Sequence, residues 1–174
     1  CAWEGDVFDY HFKLIWEGGF EVSLFTPTYC MKKVTDVTEE FLNKNGFKGI
    51  ILDIDDTLTP NGHPEPDKEV SVWINQLKSV DIKIILVSNN FKSRVDEFAS
   101  KLNVLGISMG FKPFPKGIIK AIKILKISPE QVLMIGDQVF TDIVGANLLK
   151  IKSILVEPMS PSKTLLLKIK RFFE

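Results

Sequence analysis

Apolar and polar positions along this chain fall into short continuous runs separated by longer stretches of helical period. "KGIILDI" (residues 48–54) is apolar without a break, rich in β-branched residues and too short for a helix. Such a run predicts a strand covered on both faces. "DIKIILVS" (81–88), "QVLMIGD" (131–137) and "IKSILVEP" (151–158) repeat the pattern, and "GISMGF" (106–111) is a weaker example. Between them, "TDVTEEFLNKNGF" (35–47) opens on capping residues and stops at Asn45-Gly46, the signature of a short helix. "DKEVSVWINQLKSV" (67–80), "KSRVDEFASKLNV" (92–104), "KGIIKAIKILKI" (116–127) and "FTDIVGANLLK" (140–150) read as further helices, and "PSKTLLLKIKRFFE" (161–174) as a terminal one. Pro60, Gly62, Pro64 and Pro66 make residues 59–66 a loop.

Strands that alternate with helices predict a doubly wound, three-layer α/β fold around a parallel sheet. The expected domain spans residues 35–174. Residues 1–34 form an N-terminal segment, aromatic-rich at its start, to which no element is assigned. The gaps at 58–87 and 89–111 are too short for an inserted domain of ~50 residues, so the expected fold has no cap and an open site.

Doubly wound folds place ligands beyond the carboxyl ends of their strands, and the chemically useful residues gather there. The first predicted strand ends in Asp53-Ile54-Asp55-Asp56-Thr57, the next in Ser88-Asn89-Asn90. The weak strand leads to Lys112-Pro113, and the fourth ends in Gly136-Asp137 with Asp142 five residues on. Carboxylates crowded in this way repel one another and resist desolvation. A hard divalent cation such as Mg²⁺, which takes few carboxylates plus substrate phosphate, would offset that cost. With Ser88 as a hydroxyl donor and Lys112 as a cation, the set suits phosphoryl transfer, which needs positioning and charge stabilisation. A carboxylate can serve as nucleophile, and a second one two residues on can move the proton. Asn89, Asn90 and Arg94 are candidate contacts to substrate phosphate, with helix capping for the asparagines and a surface salt bridge for Arg94 as the plain alternatives. Asp56 reads as a solvated or locally hydrogen-bonded residue.

Charge and composition narrow the partners. Lys+Arg 22 balances Asp+Glu 22, so no basic field argues for nucleic acid. Cys1 and Cys30 are too few for a disulfide framework and read as incidental thiols of a reducing compartment. No apolar run has the length of a membrane span, and Glu4, Asp6 and Asp9 are unlike a signal peptide. A cytoplasmic location is expected. His11 and His63 have no spacing for zinc or a catalytic triad. The C-terminal mixture of Leu165–Leu167, Phe172 and Phe173 with Lys163, Lys168, Lys170 and Arg171 reads first as a helix packed on the sheet. Its second reading is a peripheral contact with an anionic membrane.

"DIDDTL", Ser88, Lys112-Pro113 and "GDQVFTD" resemble, in order, the four motifs of the haloacid dehalogenase phosphohydrolase superfamily. "NGFKGIILDIDDTL", "VSNNFKSRV", "FKP" and "IGDQVFTDIVGAN" are more closely similar to its YqeG-like subclass IIIA branch, which includes phosphatidylglycerophosphate phosphatases of mitochondria and plastids. "FKPFPKG" departs from that branch, with Phe-Pro where the stretch is usually more polar. The resemblance implies Asp53 as nucleophile and metal ligand, and Asp55 as general acid/base that touches Mg²⁺ through its carbonyl. Thr57 would orient the loop, Ser88 bind the phosphoryl group and Lys112 stabilise charge. Asp137 would ligate the metal, and Asp142 would be a ligand or its supporting carboxylate. The implied activity is phosphomonoester hydrolysis, with phosphatidylglycerophosphate as first substrate. Soluble sugar or nucleotide phosphates or a phosphoprotein are the alternative, and a receiver-like or non-catalytic phosphate-binding module the lesser one.

Overall fold

The computed structural model describes residues 24–160. The terminal helix expected at 161–174 and the aromatic-rich start lie outside them. Six strands form one all-parallel sheet: β1 (Tyr29–Met31), β2 (Gly49–Leu52), β3 (Lys83–Val87), β4 (Leu105–Ile107), β5 (Val132–Gly136) and β6 (Lys152–Val156). Their spatial order is β1-β6-β5-β2-β3-β4, which puts β2 between β5 and β3.

Side chains alternate across a strand, and here that alternation supplies two cores. Ile50, Leu52, Ile84, Leu86, Leu133 and Ile135 face one layer, where they meet Leu42 of α1 (Glu39–Lys44), Trp73, Ile74 and Leu77 of α2 (Lys68–Ser79), and Phe98 and Leu102 of α3 (Lys92–Leu102). Ile51, Ile85, Val87, Val132 and Met134 face the other, against Ile118, Ala121 and Leu125 of α4 (Lys116–Leu125) and Ala146 of α5 (Val144–Leu148). Because both faces are covered, the strands are apolar at most positions, with Lys83 and Lys152 exposed at strand starts and Ser153 buried in β6, and that is why they read as nearly unbroken runs.

Local chemistry fixes the helix starts. The Thr38 hydroxyl accepts from the Phe41 amide at 3.1 Å at the start of α1, and the Asp67 carboxylate accepts from the Glu69 amide at 2.8 Å at the start of α2. The buried Trp73 indole donates to the Val37 carbonyl at 2.8 Å. Each crossover, β2 to β3 and β3 to β4, contains one helix and no inserted domain. Among the described residues the site edge of the sheet therefore carries no cap, as the short gaps predict.

Three details depart from the sequence pattern. β1, unassigned there, is a three-residue edge strand paired with β6, Tyr29 opposite Ile154 and Met31 opposite Val156. Cys30, in its middle, is disulfide-bonded, which corrects the expectation of an incidental thiol. The helix expected from residue 140 begins as one wide π turn, Val139–Ile143, before it becomes α5. Among the described residues no helix is long and apolar enough to cross a membrane.

Candidate active site

β2 stops at Leu52, and the chain carries Asp53 straight off the carboxyl end of the central strand. The Asp53 amide still donates to the Ile135 carbonyl of β5 at 3.0 Å, so sheet geometry fixes this residue. The chain then turns: the Leu58 amide donates to the Ile54 carbonyl at 2.9 Å, and Asp56 takes φ 58°. Asp sits in the left-handed region more readily than most residues. The Asp56 carboxylate accepts from the amides of Asn61 and Ser160, at 3.1 and 3.0 Å. Asp56 is a structural pin: its bond to Asn61 is local, as the sequence reading allows, but its bond to Ser160 ties in a residue far along the chain, which that reading does not foresee.

The turn separates the acids. Asp53, Asp137 and Asp142, from the ends of β2 and β5 and from the π turn, bring oxygens within 4.8 Å of one another, and all three are buried. The π turn helps to aim Asp142 inward, since wide turns re-aim side chains at functional sites. Its carboxylate accepts from the Gln138 amide at 3.1 Å. A Cβ on Gly136 would sit 2.2 Å from Asp142 Oδ2, so only glycine leaves room for this carboxylate. The Thr57 hydroxyl donates to Asp137 Oδ1 at 3.4 Å.

Lys112 enters from the loop after β4. Its Nζ donates to Asp53 Oδ1 and Asp142 Oδ1, at 2.6 Å each. Asn89 braces this lysine through the backbone: the Lys112 amide donates to Asn89 Oδ1 at 2.8 Å, and Asn89 Nδ2 donates to the Lys112 carbonyl at 3.0 Å. Ser88, buried at the end of β3, accepts from the Asn90 amide at 3.2 Å.

The Asp55 side chain does not join the buried trio. Its carboxylate accepts from Arg94 at 2.5 Å, from the Gly62 amide at 3.0 Å and from the Asn90 side-chain amide. Arg94 also donates to the His63 carbonyl at 3.2 Å. The sequence reading of Arg94 as a surface salt bridge or a phosphate contact thus acquires a specific partner, Asp55, on the rim of the site. Capping by Asn89 and Asn90 is not what the structure shows, because the N-cap of α3 is Phe91 and both asparagines serve the loops of the site. Asn90 as a partner of Asp55 escaped sequence reasoning. Nothing in the local pattern links residues 35 positions apart.

Electrostatics show what the cluster suits. Burial, with Asp142 and Asp53 beside it, pushes the Asp137 carboxyl up to about 8. Burial also raises Asp53, to about 6, although Lys112 opposes the shift. For Lys112 burial disfavours the charge, but Asp142 and Asp53 overcome it and hold the ammonium charged well above its ordinary value. Three carboxylates around one ammonium leave an excess of two negative charges when all ionise. A hard divalent cation with oxygen ligands fits that donor set and that excess.

An open, doubly wound sheet with a buried acid and lysine cluster at its carboxyl edge defines an α/β enzyme of the Rossmann-like class. A family model for haloacid dehalogenase-like hydrolases matches residues 65–149. Over 150 residues the chain is 32% identical to the "Probable phosphatase YqeG" of Bacillus subtilis, across 86% of this chain and 87% of that protein. The chain belongs to the haloacid dehalogenase-like hydrolase family and is a phosphatase of that type. It is also 28% identical over 149 residues to phosphatidylglycerophosphate phosphatase 1, chloroplastic/mitochondrial, of Arabidopsis thaliana, across 77% of this chain and 41% of that protein. The cobalt-bound deoxy-D-mannose-octulosonate 8-phosphate phosphatase of Haemophilus influenzae shares the fold, with a TM-score of 0.54 at 16% identity over 64% of this chain and 69% of that one.

Proposed function

We propose that this phosphatase hydrolyses a phosphomonoester through an aspartyl-phosphate on Asp53, with Mg²⁺ held by Asp53, Asp137 and Asp142, and that phosphatidylglycerophosphate is its substrate. The observation that carries the mechanism is the split between neighbours: Asp53 lies in the buried trio on Lys112, while Asp55 turns to Arg94 and Asn90. Two carboxyls two residues apart with different partners suit two different tasks.

In this reading an Asp53 oxygen attacks phosphorus, and the bond from phosphorus to the ester oxygen breaks. The Asp55 carboxyl, once it has taken a proton from solvent and left Arg94, delivers that proton to the leaving oxygen. Ser88 and Lys112 hold the phosphoryl oxygens, and the Asn89 bracket fixes where Lys112 stands. Asp55 then takes a proton from water as the water oxygen attacks phosphorus, which releases inorganic phosphate and restores Asp53. The divalent cation, when bound, would neutralise the carboxylates and screen the phosphate charge from Asp53. The likeness to the Arabidopsis enzyme supports the lipid head group, and the uncapped edge leaves room for a bulky ester.

Hydrolysis of phosphatidylglycerophosphate in detergent micelles, set against a panel of soluble sugar and nucleotide phosphates, tests both parts. Asp53→Asn should abolish turnover on every substrate. Near-normal hydrolysis by that variant with Mg²⁺ supplied would overturn the mechanism. A soluble phosphate hydrolysed far faster than the lipid would overturn the substrate and leave the mechanism standing.

A further inference from the structure

The loops that build the site also carry large apolar side chains into water. Phe91 is 76% exposed, Phe114 71% and Phe111 54%, and Met109 is exposed beside them. Scattered single apolar residues on a surface are ordinary, but a group on adjoining loops is not. These loops adjoin: the Met109 amide donates to the Asn90 carbonyl at 3.0 Å, and the Phe114 amide donates to the Phe111 carbonyl at 2.8 Å. The two bonds between Asn89 and Lys112 tie the same segments together. Phe91 therefore follows the residue that holds Asp55, and Phe111 and Phe114 flank Lys112-Pro113. The aromatic rim is part of the mouth of the site.

On the helix beside Phe111 and Phe114 the charge has one sign. α4 starts two residues after Phe114, at the same edge of the sheet, and contains Lys116, Lys120 and Lys123 with no acidic residue. Lys116 and Lys120 are exposed and pair with no carboxylate among the described residues. Aromatic side chains that stand out of a surface next to free ammonium groups match an anionic lipid interface, where rings sit at head-group depth and lysines meet phosphates.

We infer that Phe91, Phe111 and Phe114 form a docking rim that seats the mouth of the site on an anionic bilayer, with Lys116 and Lys120 at the head groups. This deepens the lipid reading above and rests on it. Docking holds the carboxyl edge of the sheet against the membrane, so a phosphorylated head group reaches Asp53 without leaving the bilayer. The lack of an inserted domain in either crossover then has a use: the bilayer covers the opening.

Co-sedimentation of the full chain with vesicles tests it. The vesicles are pure phosphatidylcholine, or equimolar phosphatidylcholine and phosphatidylglycerol. The chain should bind the anionic vesicles and not the neutral ones. The double variant Phe91→Ala, Phe114→Ala should bind at least roughly tenfold more weakly, given the area of two rings removed from the interface. Its hydrolysis of p-nitrophenyl phosphate should stay within about twofold of the unchanged chain, which shows that it is folded. Lys116→Gln with Lys120→Gln should weaken anionic binding and reduce its salt dependence. Failure of the unchanged chain to bind, or equal binding by the double variant, overturns the proposal. So does self-association that the double variant abolishes in a chain that ignores vesicles, because a second copy then covers the rim. Binding needs no turnover, so a failure of docking is read separately from a failure of the Asp53 mechanism.

Discussion

Lys112→Met removes the charge that holds the acidic cluster together and keeps an unbranched side chain of similar reach. Lys112 contacts Asp53 and Asp142 at 2.6 Å each, with 1% of its side chain exposed. At an effective dielectric constant of about 20, each such contact corresponds to about 6 kcal/mol of Coulomb attraction. Desolvation of the three ions returns most of it, and breaking a buried pair by removing one partner costs about 3–5 kcal/mol. We expect a loss of that size at pH 8 in the metal-free protein. The loss should shrink toward pH 5, because Asp53, raised to about 6 even with Lys112 beside it, takes up a proton and one of the two carboxylates that Lys112 leaves behind is neutralised. Urea unfolding followed by circular dichroism, in the presence of a chelator at both pH values, measures it. A loss below about 1 kcal/mol at pH 8, typical of an exposed ion pair, or one that does not change with pH, would refute the claim that Lys112 compensates a buried cluster.

Three further outcomes are expected. The metal-free chain should lose stability as pH rises through about 6 and about 8: both carboxyls have folded-state values above their ordinary 3.8, so their contribution is complete below 3.8 and lost above. The rise of Asp53 alone corresponds to about 3 kcal/mol, and a metal-free thermal midpoint that climbs from pH 5 to pH 8 would contradict it. Added Mg²⁺ should reverse that loss at pH 8, by about 2.7 kcal/mol at a concentration one hundred times its Kd; a midpoint indifferent to the ion would argue against the trio as a metal site. Asn90→Ala frees Asp55 from one of its donors, and kcat should fall about tenfold or more with KM little changed. A change confined to KM would assign Asn90 to substrate binding instead.

The order and type of most elements were written in the chain, because a sheet covered on both faces demands apolar residues at most strand positions. The runs at 48–54, 81–88, 131–137 and 151–158 became β2, β3, β5 and β6 on that account. β1 escaped because three residues at a sheet edge leave too short a pattern, and its pairing with β6 exists only once β6 is in place. The gathering of Asp53, Ser88, Lys112 and Asp137 at one edge was equally legible, since parallel strands all end on the same side.

Direction was not. Asp53 and Asp55 look equivalent in "DIDDTL", and only the turn after β2 sends one into the buried trio and the other to Arg94 and Asn90. The space for Asp142 depends on a missing Cβ at Gly136, and the exposure of Phe91 and Phe114 on two loops tied across the edge. Sequence determined which chemistry arrives at the carboxyl edge, because period and strand order are local properties. Tertiary structure decided which carboxylates share a charge and which rings face water, because those depend on contacts between residues tens of positions apart.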